Sequence, residues 1–290
     1  MKSSTLIKGE LLLFLVIFLL APFTFLKPAK KLEIVNEQPV STKVSIKPAV
    51  EKIVEQPLHN VQLPDFSAIK DIKTKKQRFF DFMRPAVIKE NAKLLAKRAK
   101  LDAWLEKISL GLSLTDDELV VLADLAKKYR VNVNASELQQ VNELLVRIDI
   151  VPAPLVLVQA ANESAWGTSR FSRIGLNFFG IWCYRQGCGM VPGGRNTGAK
   201  HEVAAFKSLD DAVARYFHNL NSNNAYRVFR TIRFELRSQQ QALNPEILAT
   251  GLLPYSERGV EYVIDISKML RHNQQYFTNE VSSSEVGVGD

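Results

Sequence analysis

From Pro152 to Glu163 the chain reads PAPLVLVQAANE, an apolar stretch opened by two prolines and closed by a carboxylate. Proline's fixed φ and missing N–H cost least in the first turn of a helix, so Pro152 and Pro154 mark a helix start. A helix that is apolar nearly all round has no face to give to water and must be enclosed by other elements. The chain is therefore expected to build a mainly α body around this segment. Val156 and Ala160 precede Glu163 by seven and three residues, so its carboxyl continues a buried face. Burial and the negative end of the helix dipole both disfavour ionisation there, which is where a carboxylic acid stays protonated and can give up a proton. The structural alternative is an ion pair with Arg170, Arg173 or Arg185.

The rest of the chain can supply that enclosure. Of 290 residues, 46% are hydrophobic and 23% charged, a globular composition rather than a disordered or collagen-like one. Two capping boxes, Thr115 with Glu118 and Ser136 with Gln139, open helices expected to reach about Tyr129 and Arg147. Upstream, eleven Lys or Arg lie between Lys70 and Lys100 against three acids. There Phe79, Phe80, Met83, Val87, Leu94 and Leu95 suit the buried stripe of one helix or two, with Pro85 as a break. The lysines then form a solvated face. The net charge of +8 favours an anionic partner, but charge alone chooses no class, and nucleic acid is not expected because no recognition motif accompanies it.

At the N-terminus, Leu11 to Leu26 carries no charged residue over 16 positions. That length is marginal for crossing a bilayer as a helix. No small-x-small cleavage site follows, so residues 1–31 are expected to be a membrane anchor or signal segment, with an uncleaved inner-membrane anchor favoured. Residues 32–66 hold Pro39, Pro48, Pro57 and Pro64 without sustained periodicity and read as an extended tether. Residues 67–145 form the basic helical region, expected to pack on the following domain. Residues 278–290 read as a disordered tail.

Two short words carry the chemistry. Glu-Ser-Ala-Trp-Gly at 163–167 is followed by Asn-Phe-Phe-Gly-Ile at 177–181. In that order and at that spacing they resemble the E-S-x-W-G … N-x-F-G-I signature of the bacterial glucosaminidase domains, peptidoglycan hydrolases that include flagellar rod-assembly hydrolases and many autolysins. The resemblance runs on through Phe206 to Val213, Tyr216, the Asn224-Ala-Tyr226 turn, and Tyr255 with Tyr262, covering about residues 145–275. It implies a lysozyme-like α+β domain over 146–277, with a small β-hairpin lobe, preceded by the additional helices. Residues 187–200, with five glycines, and the strand-like HEVAAF suit that lobe.

The resemblance also implies roles. Glu163 takes the place of the acid that protonates the glycosidic oxygen between N-acetylglucosamine and N-acetylmuramic acid. Residues 185–200 hold no acid, which leaves Glu202, beyond the turn, as the candidate second carboxylate. Tyr255 is expected to border the scissile bond. Ser164, Asn177, Phe179, Trp182, Tyr226 and Tyr262 complete the candidate substrate-binding set; Phe179 and Trp166 also suit the core, and Trp182 is the best ring-stacking candidate. Cys183 and Cys188, five apart, are expected to close a small loop by disulfide in an oxidising compartment, with free thiols the alternative. They fall short of a zinc set, and neither a metal nor a cofactor is expected. The expected partners are peptidoglycan glycan strands and the inner membrane, which places the body in the cell envelope on the periplasmic side. The alternatives are a lytic transglycosylase or muramidase on the same polymer, usually marked by a Gly-Leu-Met-Gln-like segment absent here, and a non-hydrolytic peptidoglycan-binding module.

Overall fold

The structure is a computed structural model that describes residues 55–193, 198 and 201–277. The apolar run 11–26, most of the expected tether and the tail 278–290 lie outside the described residues. Among those described, no helix is long and apolar enough to cross a membrane.

The long basic segment forms one helix, α1 (Ile72–Ser109), whose N-terminus is capped by the Asp71 side chain accepting from the Thr74 N–H. The helix passes through Pro85 rather than ending there. Proline removes one backbone donor, but Met83 before it and Ala86 and Val87 after it are buried, so the helix is held by packing on both sides of Pro85. Val87, Leu94 and Leu101 recur at seven-residue spacing along the buried stripe, whereas Leu95 turns about 100° away and stays 46% exposed. Both capping boxes are present, opening α2 (Asp116–Tyr129) and α3 (Glu137–Arg147).

The proline-led apolar segment is α4 (Ala153–Glu163), with every residue from Leu155 to Ala161 buried. It is enclosed as its composition demands: α1, α9 (Val260–His272) and α8 (Pro245–Ala249) all pack on it. Three further helices complete the body: α5 (Arg170–Gly175), α6 (Leu209–Ser222) and α7 (Arg227–Ser238). Short 3-10 segments lie at Asn224–Tyr226, Thr250–Tyr255 and Gln274–Tyr276. α1 also packs on α3 and α6, so the basic helix and the segments around α4 share one hydrophobic core.

The lobe between α5 and α6 is a three-stranded antiparallel sheet, β1 (Trp182–Cys183), β2 (Gly189–Met190) and β3 (Glu202–Ala204), with β3 in the middle. Cys183 and Cys188 form a disulfide joining β1 to the residue before β2. A cross-link closing so short a loop restricts the open form by about 2 kcal/mol in the chain-entropy model. Reduction is therefore expected to raise hydrogen exchange in residues 182–190 while the amides of α4 keep their protection. Loss of protection in both places would show that the lobe and the helical body unfold together.

Residues 55–66 lie against the body. The Leu58 N–H donates to the Ile174 carbonyl at 2.8 Å, His59 Nε2 bonds the Arg173 carbonyl at 3.0 Å, and Glu55 pairs with Arg170. Phe66 is buried at the far end of this strap and makes edge contacts with Phe79 and Phe82 of α1.

Candidate functional site

Glu163 is the last residue of α4, and the chain behind it turns sharply. Ala165, Trp166 and Gly167 follow one another with φ of 50°, 59° and 76°. Two non-glycine residues in left-handed backbone cost about 1–2 kcal/mol each, so the turn persists because its surroundings over-determine it. Buried Ser164 supplies part of that hold: its Oγ donates to the Ala160 carbonyl at 2.6 Å and accepts from the Gly167 N–H at 2.8 Å. Trp166 docks edge-on against Phe79 and Phe80 at 5.6 and 5.3 Å, with the Lys76 ammonium over its ring. At Gly167 a Cβ would stand 2.5 Å from the Phe66 ring, so position 167 requires glycine for both φ and space. The Ser, Trp and Gly of the first word thus fix the angle at which Glu163 leaves α4.

The second word builds the opposite wall. Asn177 is buried and its amide is fully used: Nδ2 donates to the carbonyls of Ile181 and Ala204 at 2.8 and 2.9 Å, and Oδ1 accepts from the N–H groups of Phe179 and Ile181 at 3.3 and 3.0 Å. This holds 177–181 as a compact turn on β3. Gly180 sits at its apex with φ of 64°, and a Cβ there would lie 3.5 Å from Glu163 Oε2. Backbone therefore closes to the edge of the carboxyl, and the missing side chain keeps that edge open.

Aromatic rings line the next side. Phe179 stacks on Tyr216 at 4.2 Å, and the Phe179 carbonyl accepts from the Tyr255 hydroxyl at 2.8 Å. Tyr255 is half-buried, stacks on Tyr262 at 5.5 Å and 9°, and lies 5.9 Å from Tyr226. Asn162 Nδ2 donates to Glu163 Oε1 at 3.1 Å, and Tyr262 interacts electrostatically with the carboxyl. Burial raises the Glu163 carboxyl above its ordinary value, opposed by the bond from Asn162, the Tyr262 hydroxyl and the charge of Arg258. Burial also raises Tyr216, Tyr226, Tyr255 and Tyr262, so these phenols stay neutral beside the acid.

The structure thus gathers Glu163, Phe179, Tyr226, Tyr255 and Tyr262 around one point and places Ser164 and Asn177 in the supporting layer. Trp182 stands apart on the sheet lobe, 44% exposed, with His201 edge-on at 4.5 Å. Tyr184 beside it is 82% exposed. Glu202 is buried in β3, where its two oxygens accept from the N–H groups of Gly187 and Gly189 at 3.0 and 2.9 Å. With Cys183 and Cys188 it makes a cluster of metal-ligand type, but both sulfurs are spent in the disulfide and offer no thiolate.

Three further residues belong to the site: Gln159, Gly180 and Arg258. Gly180 was visible only as one letter of a motif. Gln159 carried a plainer signal, an amide one helical turn before Glu163 in an otherwise apolar segment.

Residues 138–275 match the glucosaminidase family, described as mannosyl-glycoprotein endo-β-N-acetylglucosaminidase. Protein bax of Escherichia coli strain K12 is 31% identical over 214 residues, covering 73% of this chain and 75% of its own. No solved structure matches.

Proposed function

Because the chain belongs to the glucosaminidase family, we propose that it hydrolyses the β-1,4 bond between N-acetylglucosamine and N-acetylmuramic acid in peptidoglycan, with Glu163 as general acid. The observation that carries this reading is the Glu163 carboxyl itself. It is half-buried at the C-terminal end of an apolar helix, its proton affinity raised by that burial, and faced by the Gly180 backbone and a wall of tyrosines. As the bond between C1 and the bridging oxygen breaks, Glu163 gives its proton to that oxygen while positive charge grows on the N-acetylglucosamine ring. Water then adds to C1 and returns a proton to the carboxylate. Tyr255 borders the scissile bond, and Trp182 with Tyr184 offers exposed ring faces to the glycan strand.

Glu202 fits a different task from activating water. Its two oxygens hold the β1–β2 loop through Gly187 and Gly189, and we assign the stabilisation of the sugar cation to the substrate's own acetamido group. Glu202→Ala is expected to loosen the lobe by about 1 kcal/mol and to lower activity, with no recovery on adding azide. Recovery together with an α-glycosyl azide product would instead make Glu202 the base of an inverting reaction.

The body works on the periplasmic side, tethered to the inner membrane through the apolar run 11–26. The test is digestion of purified sacculi followed by mass spectrometry of borohydride-reduced fragments. Fragments ending in reduced N-acetylglucosamine support the reading. Reduced N-acetylmuramic acid ends point to a muramidase, 1,6-anhydro ends to a lytic transglycosylase, and binding without release to a wall-binding module.

A further inference from the structure

The strained turn behind Glu163 is touched by a residue from far up the chain. Phe66, at the end of the strap, is 2% exposed. A Cβ on Gly167 would stand 2.5 and 2.8 Å from Cδ2 and Cε2 of the Phe66 ring, so the ring fills the space that a side chain at 167 would take. The same ring meets Phe79 edge-on at 5.5 Å, and Phe79 meets Trp166 edge-on at 5.6 Å. Phe66 therefore packs on Gly167 directly and backs Trp166 through one intervening ring.

Phe66 is itself held on both sides in sequence. Asp65 Oδ1 accepts from the N–H groups of Ser67 and Ala68 at 3.0 and 3.2 Å and fixes the turn that follows. Before it, the strap is bonded along α5, the helix into which the strained turn leads: Leu58 to the Ile174 carbonyl, His59 to that of Arg173, and Glu55 to the Arg170 side chain. His59 Nδ1 accepts from the Val61 N–H at 3.1 Å, so the neutral ring carries its proton on Nε2 and donates it to Arg173. The strap thus grips both the turn and the helix after it.

We propose that Phe66 is a positioning residue for the hydrolysis: its ring, seated on Gly167 and Phe79, holds residues 165–167 in left-handed backbone and so keeps the Glu163 carboxyl at the edge of the Gly180 backbone. This rests on the reading of Glu163 as general acid. Left-handed backbone at Ala165 and Trp166 persists only while the surroundings enforce it. Emptying the space beside Gly167 lets the turn relax toward ordinary φ, and the end of α4, where Glu163 stands, moves with it. Proton transfer to the bridging oxygen needs near-attack geometry, and a misplacement of about 1 Å costs up to about 10²-fold. The strap is then part of the catalytic unit, although it precedes the residues that match the family.

The test uses the full-length protein, unaltered and as Phe66→Ala, Phe66→Leu and Leu101→Ala, with soluble glycan strands as substrate. Leu101 is buried in α1 about six turns along from Phe79 and serves as the control. Phe66→Ala is expected to lower kcat by about 10- to 100-fold with KM retained, and Phe66→Leu to recover most of that loss. Leu101→Ala also empties core volume; it should lower the melting temperature and leave kcat unchanged where the protein is folded. With 5-fluorotryptophan, the Trp166 signal, assigned by its loss in Trp166→Phe, should shift in Phe66→Ala and stay in place in Leu101→Ala. Gly167→Ala gives an independent readout, because its Cβ collides with Phe66 in the unaltered protein and has room in Phe66→Ala. The fall in melting temperature of the pair should therefore be smaller than the sum of the two single falls. Unchanged kcat in folded Phe66→Ala, an equal kcat loss in Leu101→Ala, or falls that simply add overturns the proposal. If Phe66→Ala does not fold, Phe66→Leu should show a smaller kcat loss with a smaller Trp166 shift; the absence of both overturns the proposal in that case. Should the unaltered protein release no sugar while the Trp166 shift and the non-additive pair appear as expected, the brace on the turn stands and the hydrolase reading falls.

Discussion

Glu163→Gln is expected to lower sugar release from sacculi by about 10²- to 10⁴-fold and, at neutral pH, to make the folded protein more stable. The two effects share one cause. Burial raises the proton affinity of Glu163 in the fold, so above the carboxylate range the folded state holds an ion it would rather protonate. A group whose folded pKa is raised binds protons more readily when folded, and stability then falls as pH rises through the window between the unfolded and folded values. Glutamine carries no such cost. The stabilisation should vanish below the ordinary carboxylate range, where both states are protonated, and appear as pH rises through that window. Thermal melts of both proteins at acidic and neutral pH check this. A loss of activity with equal destabilisation at both pH values would mark Glu163 as a packing residue instead.

A second large effect is expected far from the acid. Asp149 follows α3 and is 1% exposed. It accepts two bonds from Arg237 of α7, each 3.0 Å, and lies 3.5 Å from Arg98 of α1. Arg233, wholly buried, sends Nη1 to the carbonyls of Asp149 and Ile150 and Nη2 to those of Val146 and Arg147. Three cations therefore converge on one carboxylate and on the open carbonyls at the end of α3, tying α1, α3 and α7 together. Asp149→Asn removes the only acid of that set, and breaking a buried pair in this way costs about 3–5 kcal/mol. The lower end is expected, because Arg237 is partly exposed and can turn to water.

The pH dependence of Asp149 has the opposite sign to that of Glu163. Burial alone would raise its pKa, but Arg233, Arg237 and Arg98 outweigh it and hold the carboxyl below its ordinary value. The stability it contributes is present above the unfolded value and lost as pH falls through the folded one. Urea melts of the unaltered protein and Asp149→Asn at pH 7 and pH 3 should show the gap between them narrowing at the lower pH. A gap that does not change with pH would mean that shape, not charge, is lost.

Much of this was legible because it is local. The capping boxes at Thr115 and Ser136, the prolines opening α4 and the carboxylate closing it depend on residues within one or two turns. The motif words at 163–167 and 177–181 were readable for the same reason. What escaped depends on partners distant in sequence. Pro85 reads as a break until α3, α4 and α6, all distant in sequence, are seen packed on one continuous α1. Residues 55–66 read as tether because their bonds go to Arg170, Arg173 and Ile174, more than a hundred positions on. The two oxygens of Glu202 face backbone donors supplied by a glycine-rich loop, which no side-chain pattern announces. Gln159 was visible as a polar letter in an apolar helix, but its hydrogen-bond partners, Tyr216 and Tyr262, arrive from α6 and α9.

The most direct measurement is hydrolysis of sacculi in water enriched in oxygen-18, with borohydride trapping and mass spectrometry of the new ends. One heavy oxygen on C1 of each newly exposed N-acetylglucosamine, appearing with the unaltered protein and lost with Glu163→Gln, is the predicted result. Unlabelled 1,6-anhydro-N-acetylmuramic acid ends, or labelled N-acetylglucosamine ends that persist in Glu163→Gln, would contradict it.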